Sequence, residues 1–275
     1  MVVASLEIIV ACLAVLAVAD VLIARHTAHR WFFIHAIANA FVVVTALPGL
    51  AATLSNPLYA MDGRVFPNVV SLWAPGSMWP ISMINAVHLY HVLVFKLNAD
   101  ELFHHALFLP LVGGPGQWYE WGALRSTLAF GISGLPGGID YFMLVGVKGG
   151  RVSRTRQKQV SAALNQWLRA PLIVLETGVH YLAWRYDTTM VPLPVNLLVG
   201  GLAFFNALYY LGSSLRSDER AQLDARAKQL AAATTDPSPT MPERTAPYPV
   251  EVDAKRAADK VESEVSPADI TQKAL

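Results

Sequence analysis

"WFFIHAIANAFVVVTALPGLAAT", residues 31–53, decides the fold: it runs for 23 residues without an Asp, Glu, Lys or Arg. That length matches the roughly 20 apolar residues a helix needs to cross a hydrocarbon core of about 30 Å. Similar segments recur near 3–24, 76–97, 102–118, 123–147, 165–185 and 190–212. The fourth of the seven in chain order, carrying "HHALFLPLVGGPG", is short and interrupted by Pro and Gly, so a re-entrant placement is its alternative. Charge is distributed to match. Between His35 and Phe95 only Asp62 and Arg64 are charged, whereas residues 213–275 hold 20 of the 41 charged side chains. The sequence therefore reads as all-α: a polytopic transmembrane helical bundle of about seven spans with a disordered cytosolic C-terminal tail. Three parts are expected: a signal-anchor span at 1–24, a bundle at 25–212, and a tail at 213–275 that begins helical and continues disordered.

Orientation follows from the excess of Lys and Arg in cytosolic loops. "KGGRVSRTRQK" after the fifth span carries Lys148, Arg151, Arg154, Arg156 and Lys158, while the 54–75 loop carries only Arg64. The basic side is expected in the cytosol, which places residues 148–163 and the C-terminus there. The aromatic clusters "QWYEW" (117–121) and "HYLAWRY" (180–186) then fall at the opposite interface, where Trp and Tyr rings prefer to sit. The first span has neither a basic stretch before it nor a small-residue cleavage site after it, and so reads as retained. A single cysteine, Cys12, rules out an intrachain disulfide, and a net charge of +1 suggests no nucleic-acid partner. The last span contains no lysine for a retinal Schiff base.

Ionisable groups within spans are costly and ordinarily face a partner or a cavity. His35 and Asn39 share a helix face. "NAVHLYH" spaces Asn85, His88 and His91 three apart, and "ELFHH" sets Glu101 on the side of both His104 and His105. Those two histidines diverge by about 100° and cannot point equally at one centre. A tight turn at "KLNAD" is expected to make the third and fourth spans antiparallel neighbours, with His104 and His105 facing His88 and His91 at a cavity mouth. Glu176 and His180 are four apart, the spacing of a buried ion pair. Asp140 follows "GISGLPGG", where the helix is expected to break and free its backbone groups. A different class of reading takes "HLYH" and "ELFHH" as histidine boxes of a membrane metalloenzyme of the desaturase or hydroxylase kind, with Glu101 and His104 sharing one metal. Those families use several His-x-x-His-His boxes, and none is present.

"RWFFIHAIANAF", "INAVHLYHVLVF", "ELFHHALFLPLVG" and "NQWLRAPLIVLE" together resemble the TLC-domain family, the multi-span lipid proteins that include ceramide synthases and relatives without established catalysis. The resemblance covers about residues 25–212. It implies a bundle in an endomembrane such as the endoplasmic reticulum, with a lipid-accessible cavity onto which the histidines open. His104 and His105 match the family's His pair, associated with acyl transfer from acyl-CoA to a sphingoid base. Asp140 stands where a later His-Asp element is expected, but Ile139 occupies the histidine's place. The catalytic set implied is His104, His105 and Asp140. Asn85, His88, His91, Glu101, Glu176 and His180 are expected to line the cavity, with no metal and no resident cofactor. Membrane lipids are the expected partners, with acyl-CoA as co-substrate if the chain is catalytic. A protein that binds or senses lipids without turnover is the alternative.

Overall fold

A computed structural model of the chain describes residues 2–27 and 29–235, with backbone alone for 2–4, 24, 100–101 and 233–235. The described residues are helical, without a strand; one isolated bridge joins Val69 and Ser77. The disordered tail expected beyond Thr235 lies outside the described residues. Among the described residues four helices are long and apolar enough to cross a membrane: Ser5–Leu22, Arg30–Ser55, Leu124–Lys148 and Leu193–Ala232. They belong to α1 (Val2–Leu22), α2 (Arg30–Ser55), the run of α6 (Leu124–Ala129) into α7 (Leu135–Lys148), and α10 (Leu193–Thr235).

The other three segments read as spans are helical but fall short in length or apolarity. These are α3 (Trp79–Val94), α4 (Ala99–Phe108) continuing into α5 (Gly114–Trp118), and α8 (Arg154–Leu164) continuing into α9 (Ala170–Arg185). Helix α3 has only 16 residues, and all three segments carry polar side chains: Asn85, His88 and His91 on α3, His104 and His105 on α4, and Glu176 and His180 on α9. Helix α8 begins at Arg154, capped by the Ser153 hydroxyl, which accepts from the Arg156 N–H at 3.1 Å. The connection read as a loop through 163 is thus only about five residues, and Lys158 is a helix residue.

Three joints inside these runs are π-helical: Leu109–Gly113, Phe130–Gly134 and Asn165–Arg169. Proline explains all three. Pro115, Pro136 and Pro171 each lack an N–H for the residue four before, and their rings push that residue's carbonyl aside. Those residues are Leu111, Ile132 and Trp167, each inside a π-turn. The break expected before Asp140 is one of these turns: the helix widens there and continues into α7.

Helix α2 is central, packing against α3, α6 and α7. Ring contacts pair Trp31 with His91 and Phe41 with Trp79, so α2 and α3 run antiparallel. His35 meets Tyr141 while Gly137 meets Asn39, so α2 and α7 do as well. The turns at 23–29, 95–98 and 149–153 therefore share one end of the bundle. Ile8, Cys12 and Leu16 of α1 pack with Ile34, Ala38 and Val42 of α2 and with Met83, Ala86 and Val87 of α3. The small residues let the backbones approach closely, as helices do where solvent supplies no hydrophobic drive between them.

The opposite end is closed by residues 56–78. Here Asp62 accepts two hydrogen bonds from the Arg64 guanidinium at 2.9 Å, which hold its carboxyl below the usual carboxylate range. Thr188 of the last connection donates to the Leu58 carbonyl. Exposed aromatics, among them Trp73, Trp118, Tyr181 and Trp184, ring this end. Elsewhere the outer face is apolar: Leu93 and Trp167 are each 75% exposed and Phe103 68%. A surface of that kind suits hydrocarbon as solvent.

Candidate functional site

Five histidines from three helices meet at the end where the 95–98 turn lies. Asn85 anchors the α3 stripe by donating from Nδ2 to the Gly113 carbonyl at 3.1 Å. A Cβ at 113 would stand 2.1 Å from Asn85 Oδ1, so any larger residue there forces the Asn85 amide to move. One turn on, His88 Nδ1 lies 2.7 Å from the Ile84 carbonyl. A carbonyl only accepts, so Nδ1 carries the proton and Nε2 keeps the lone pair. His35 makes the same bond to the Trp31 carbonyl at 3.1 Å. His91 is fully buried between Trp31 and His35, with both ring centroids 4.0 Å away and, among the described residues, no hydrogen-bond partner for either ring nitrogen.

The adjacent histidines of α4 divide as the helical repeat dictates. His104 lies 5.8 Å from His88 and faces a cavity, whereas His105 packs behind it, 4.9 Å from His88 and 5.8 Å from His91. The side chain of Glu101 lies outside the described residues. Among those described, no three His, Cys, Asp or Glu side chains are arranged to hold a metal ion.

The cavity has a volume of about 360 Å³, within the range of about 300–1,000 Å³ typical of small-molecule sites. His35, Asn85, His88 and His104 form one wall, and Ile81, Ile84, Leu109, Val112, Leu128 and Ile132 give it an apolar lining. Residues of all three π-turns reach it, including Gly113, Ser133, Asn165 and Arg169. Short π-helical turns recur at functional sites because they redirect side chains that a regular helix would stack. Another part of the lining is polar, with Lys158, Ser161, Asn165 and Arg169 from one continuous helix, and Asn206, Tyr210, Ser213 and Ser217 from α10.

Asp140 lines this cavity but serves no histidine. Its Oδ1 accepts from Gln157 Nε2 at 2.6 Å, and among the described residues no hydrogen bond joins it to an imidazole. The ion pair read from the Glu176–His180 spacing does not form either. His180 Nδ1 engages Asn196 Oδ1 on α10 instead, and Asn196 Nδ2 donates to the His180 carbonyl at 3.4 Å. Glu176 is 1% exposed, neither carboxyl oxygen has a hydrogen-bond partner among the described residues, and Gly131 of the second π-turn packs beside it. Of the residues expected on the cavity wall, Asn85, His88 and His180 are there; His91 and Glu176 are buried away from it. Of the expected catalytic set, His104 and Asp140 reach the wall and His105 does not.

Cations are what the sequence reading missed. Arg125 is 3% exposed on the cavity wall and bonded only to neutral groups: Asn68 Oδ1, the Tyr119 carbonyl at 2.7 Å and the Met78 sulfur. Arg169, 9% exposed, donates from Nη1 to Asn165 Oδ1 at 2.7 Å and stands 5.2 Å over the Tyr210 ring, and its Nε has no partner among the described residues. The spacing of Lys158, Ser161, Asn165 and Arg169, three then four then four, was a usable signal for one helix face. No protein-family model, no characterised protein and no solved structure matches the chain.

Proposed function

We propose that the chain is a seven-span, TLC-like integral membrane protein of an endomembrane such as the endoplasmic reticulum, and that it binds an amphiphilic lipid inside its bundle. The observation that carries this reading is a cavity with an apolar lining and a polar wall, enclosed by helices whose outer faces are themselves apolar. A headgroup fits the polar wall and an acyl chain the apolar lining. In this reading α3, the α4–α5 run and the α8–α9 run also cross the membrane. They tolerate their histidines and asparagines because those side chains face protein or cavity and not lipid. The end with the 23–29, 95–98 and 149–153 turns, bearing Arg25, Arg30, Lys96, Lys148 and Arg151, faces the cytosol.

Acyl transfer is the second reading, favoured by His88 and His104 side by side on the cavity wall. With its Nδ1 proton given to the Ile84 carbonyl, His88 presents Nε2 as the base. The amine of a sphingoid base would attack the thioester carbonyl of acyl-CoA while Nε2 takes the amine proton. The C–S bond then breaks, and the imidazolium returns the proton to the departing thiolate. Asp140 held by Gln157 leaves the base without a carboxylate to orient it, which is why binding stands first.

Native mass spectrometry of protein purified from membranes tests both readings, followed by incubation with acyl-CoA and a sphingoid base. Bound lipid without thiol release supports binding, and bound lipid with thiol release lost in His88→Ala supports transfer. Protein that carries no lipid and binds none on addition overturns both.

A further inference from the structure

A bound amphiphile must answer the charge of the wall it meets. Three cations line this cavity, Arg125, Lys158 and Arg169, against one carboxylate, Asp140. Among the described residues the ion pairs are Asp20–Arg30 and Asp62–Arg64, so none of the three is in a contact ion pair; Glu120 near Arg125 and Asp140 near Arg169 act on them only from a distance. A buried charge without a counter-charge is expensive, and a ligand that supplies one is strongly favoured.

The unfilled donors lie along one helix face. Arg125 already has three acceptors around it. Arg169 spends one of its five N–H donors on Asn165, and its buried Nε has none. Lys158 extends the same helix face by about three turns, and α10 presents Ser213 and Ser217 across the cavity. Ser214 is already engaged, donating to the Leu211 carbonyl at 3.0 Å. A forked guanidinium, an ammonium and hydroxyl groups make a donor set suited to a group with several anionic oxygens in tetrahedral array. The tyrosine beneath Arg169 holds the guanidinium over its ring, so part of the ordering cost is met before ligand arrives.

We propose that the Lys158–Arg169 face with Ser213 and Ser217 is a phosphate-binding site, and that the cavity's ligand is a single-chain lipid with a phosphate head. At about 360 Å³ the cavity sits near the lower end of small-molecule sites, which fits one chain and a compact head better than a nucleotide-bearing ester. The head lies between Lys158 and Arg169 on that helix face, and the chain runs past Leu128 and Ile132. This inference rests on the lipid-binding reading above and adds the chemistry of the headgroup.

The test uses full-length protein in nanodiscs of neutral lipid. Its probes are lysophosphatidic acid, the monoacylglycerol and the free fatty acid of the same chain, and inorganic phosphate. Lysophosphatidic acid is expected to bind at least about tenfold tighter than monoacylglycerol, the discrimination a charge-assisted pair provides. Arg169→Gln and Lys158→Gln should each erase most of that preference while monoacylglycerol binding persists, which also reports that the variants are folded. Arg169→Lys should retain part of it. Equal binding of the two lipids, or full preference retained in both Gln variants, overturns the phosphate site and leaves the lipid cavity standing. Tighter binding of the fatty acid reassigns the head as a carboxylate, and inorganic phosphate binding as well as the lipid overturns the single-chain ligand. If neither lipid binds, the lipid-binding reading itself fails.

Discussion

Two charge sites at the same end of the bundle are built to opposite specifications. In the first, Asp20 of α1 is 2% exposed and takes both oxygens' worth of contact from the Arg30 guanidinium of α2, with Tyr90 Oη of α3 donating at 2.6 Å. Every charge there has its counter-charge, and the site ties three helices together. In the second, Arg169 and Lys158 face a cavity with neutral acceptors or none. The difference marks two roles: a saturated buried charge holds helices in register, and an unsaturated one on a cavity wall is, in the reading proposed above, the place a ligand binds. The histidine cluster divides along the same line, with His88 and His104 on the cavity and His91 and His105 packed behind.

Breaking the saturated site should have the largest effect on stability. Arg30→Gln leaves the Asp20 carboxylate buried with only a tyrosine, at an expected cost of about 2–3 kcal/mol, below the range for a fully buried pair because Arg30 is 38% exposed. Thermal unfolding in detergent measures it, and Arg169→Gln in the same assay should change stability by less than about 1 kcal/mol because it strands no carboxylate. A wild-type melting curve for Arg30→Gln would undo the contrast between the two sites.

Next in size is Gly113→Ala, expected to destabilise by about 1–3 kcal/mol through the clash with Asn85. The companion change Asn85→Ala should relieve part of that loss, and a double-mutant cycle on unfolding reads the coupling. Smaller again is the split within the His pair. His104→Ala should weaken lipid binding several-fold, roughly 1 kcal/mol, while His105→Ala should lower melting temperature and leave the affinity of folded protein unchanged. Equal effects on affinity would put both rings on the cavity. The smallest expected effect is His91→Leu. Neither ring nitrogen of His91 has a partner, so an apolar side chain of similar size removes a buried unsatisfied group, and stability should hold or rise by up to about 1 kcal/mol.

Much of this architecture is written in the chain, and the parts that are not have physical reasons. Runs such as 31–53 betray helices because hydrocarbon demands about 20 apolar residues, and the meeting of α3 with α4 follows from a short turn. The spacing of His104 and His105 carries their divergence, since that is a property of the helix alone. The pairing of Asp140 with Gln157 and of His180 with Asn196 was not legible, because each partner comes from another helix and no local spacing selects it. Lys158 was hidden for a different reason: its basic neighbours Arg151, Arg154 and Arg156 made the segment read as a topological loop. Asn165 and Arg169 sit in a π-turn, whose residues leave the 3.6-residue repeat on which facing is judged. The prolines at 115, 136 and 171, each four residues after its displaced carbonyl, were the visible trace of those turns.

The most direct measurement of the central claim is site mapping with a photoactivatable single-chain lipid phosphate, incorporated into the purified protein and located by peptide mass spectrometry. If the bundle holds its lipid inside, adducts should fall on the cavity-lining stretches around Leu109–Gly113 and Leu128–Ile132, and Leu128→Trp, which fills that space, should abolish them. Adducts confined to outward-facing residues such as Phe103, Phe142 and Trp167, or undiminished in Leu128→Trp, would show that lipid only bathes the outer surface and that the cavity is not its site.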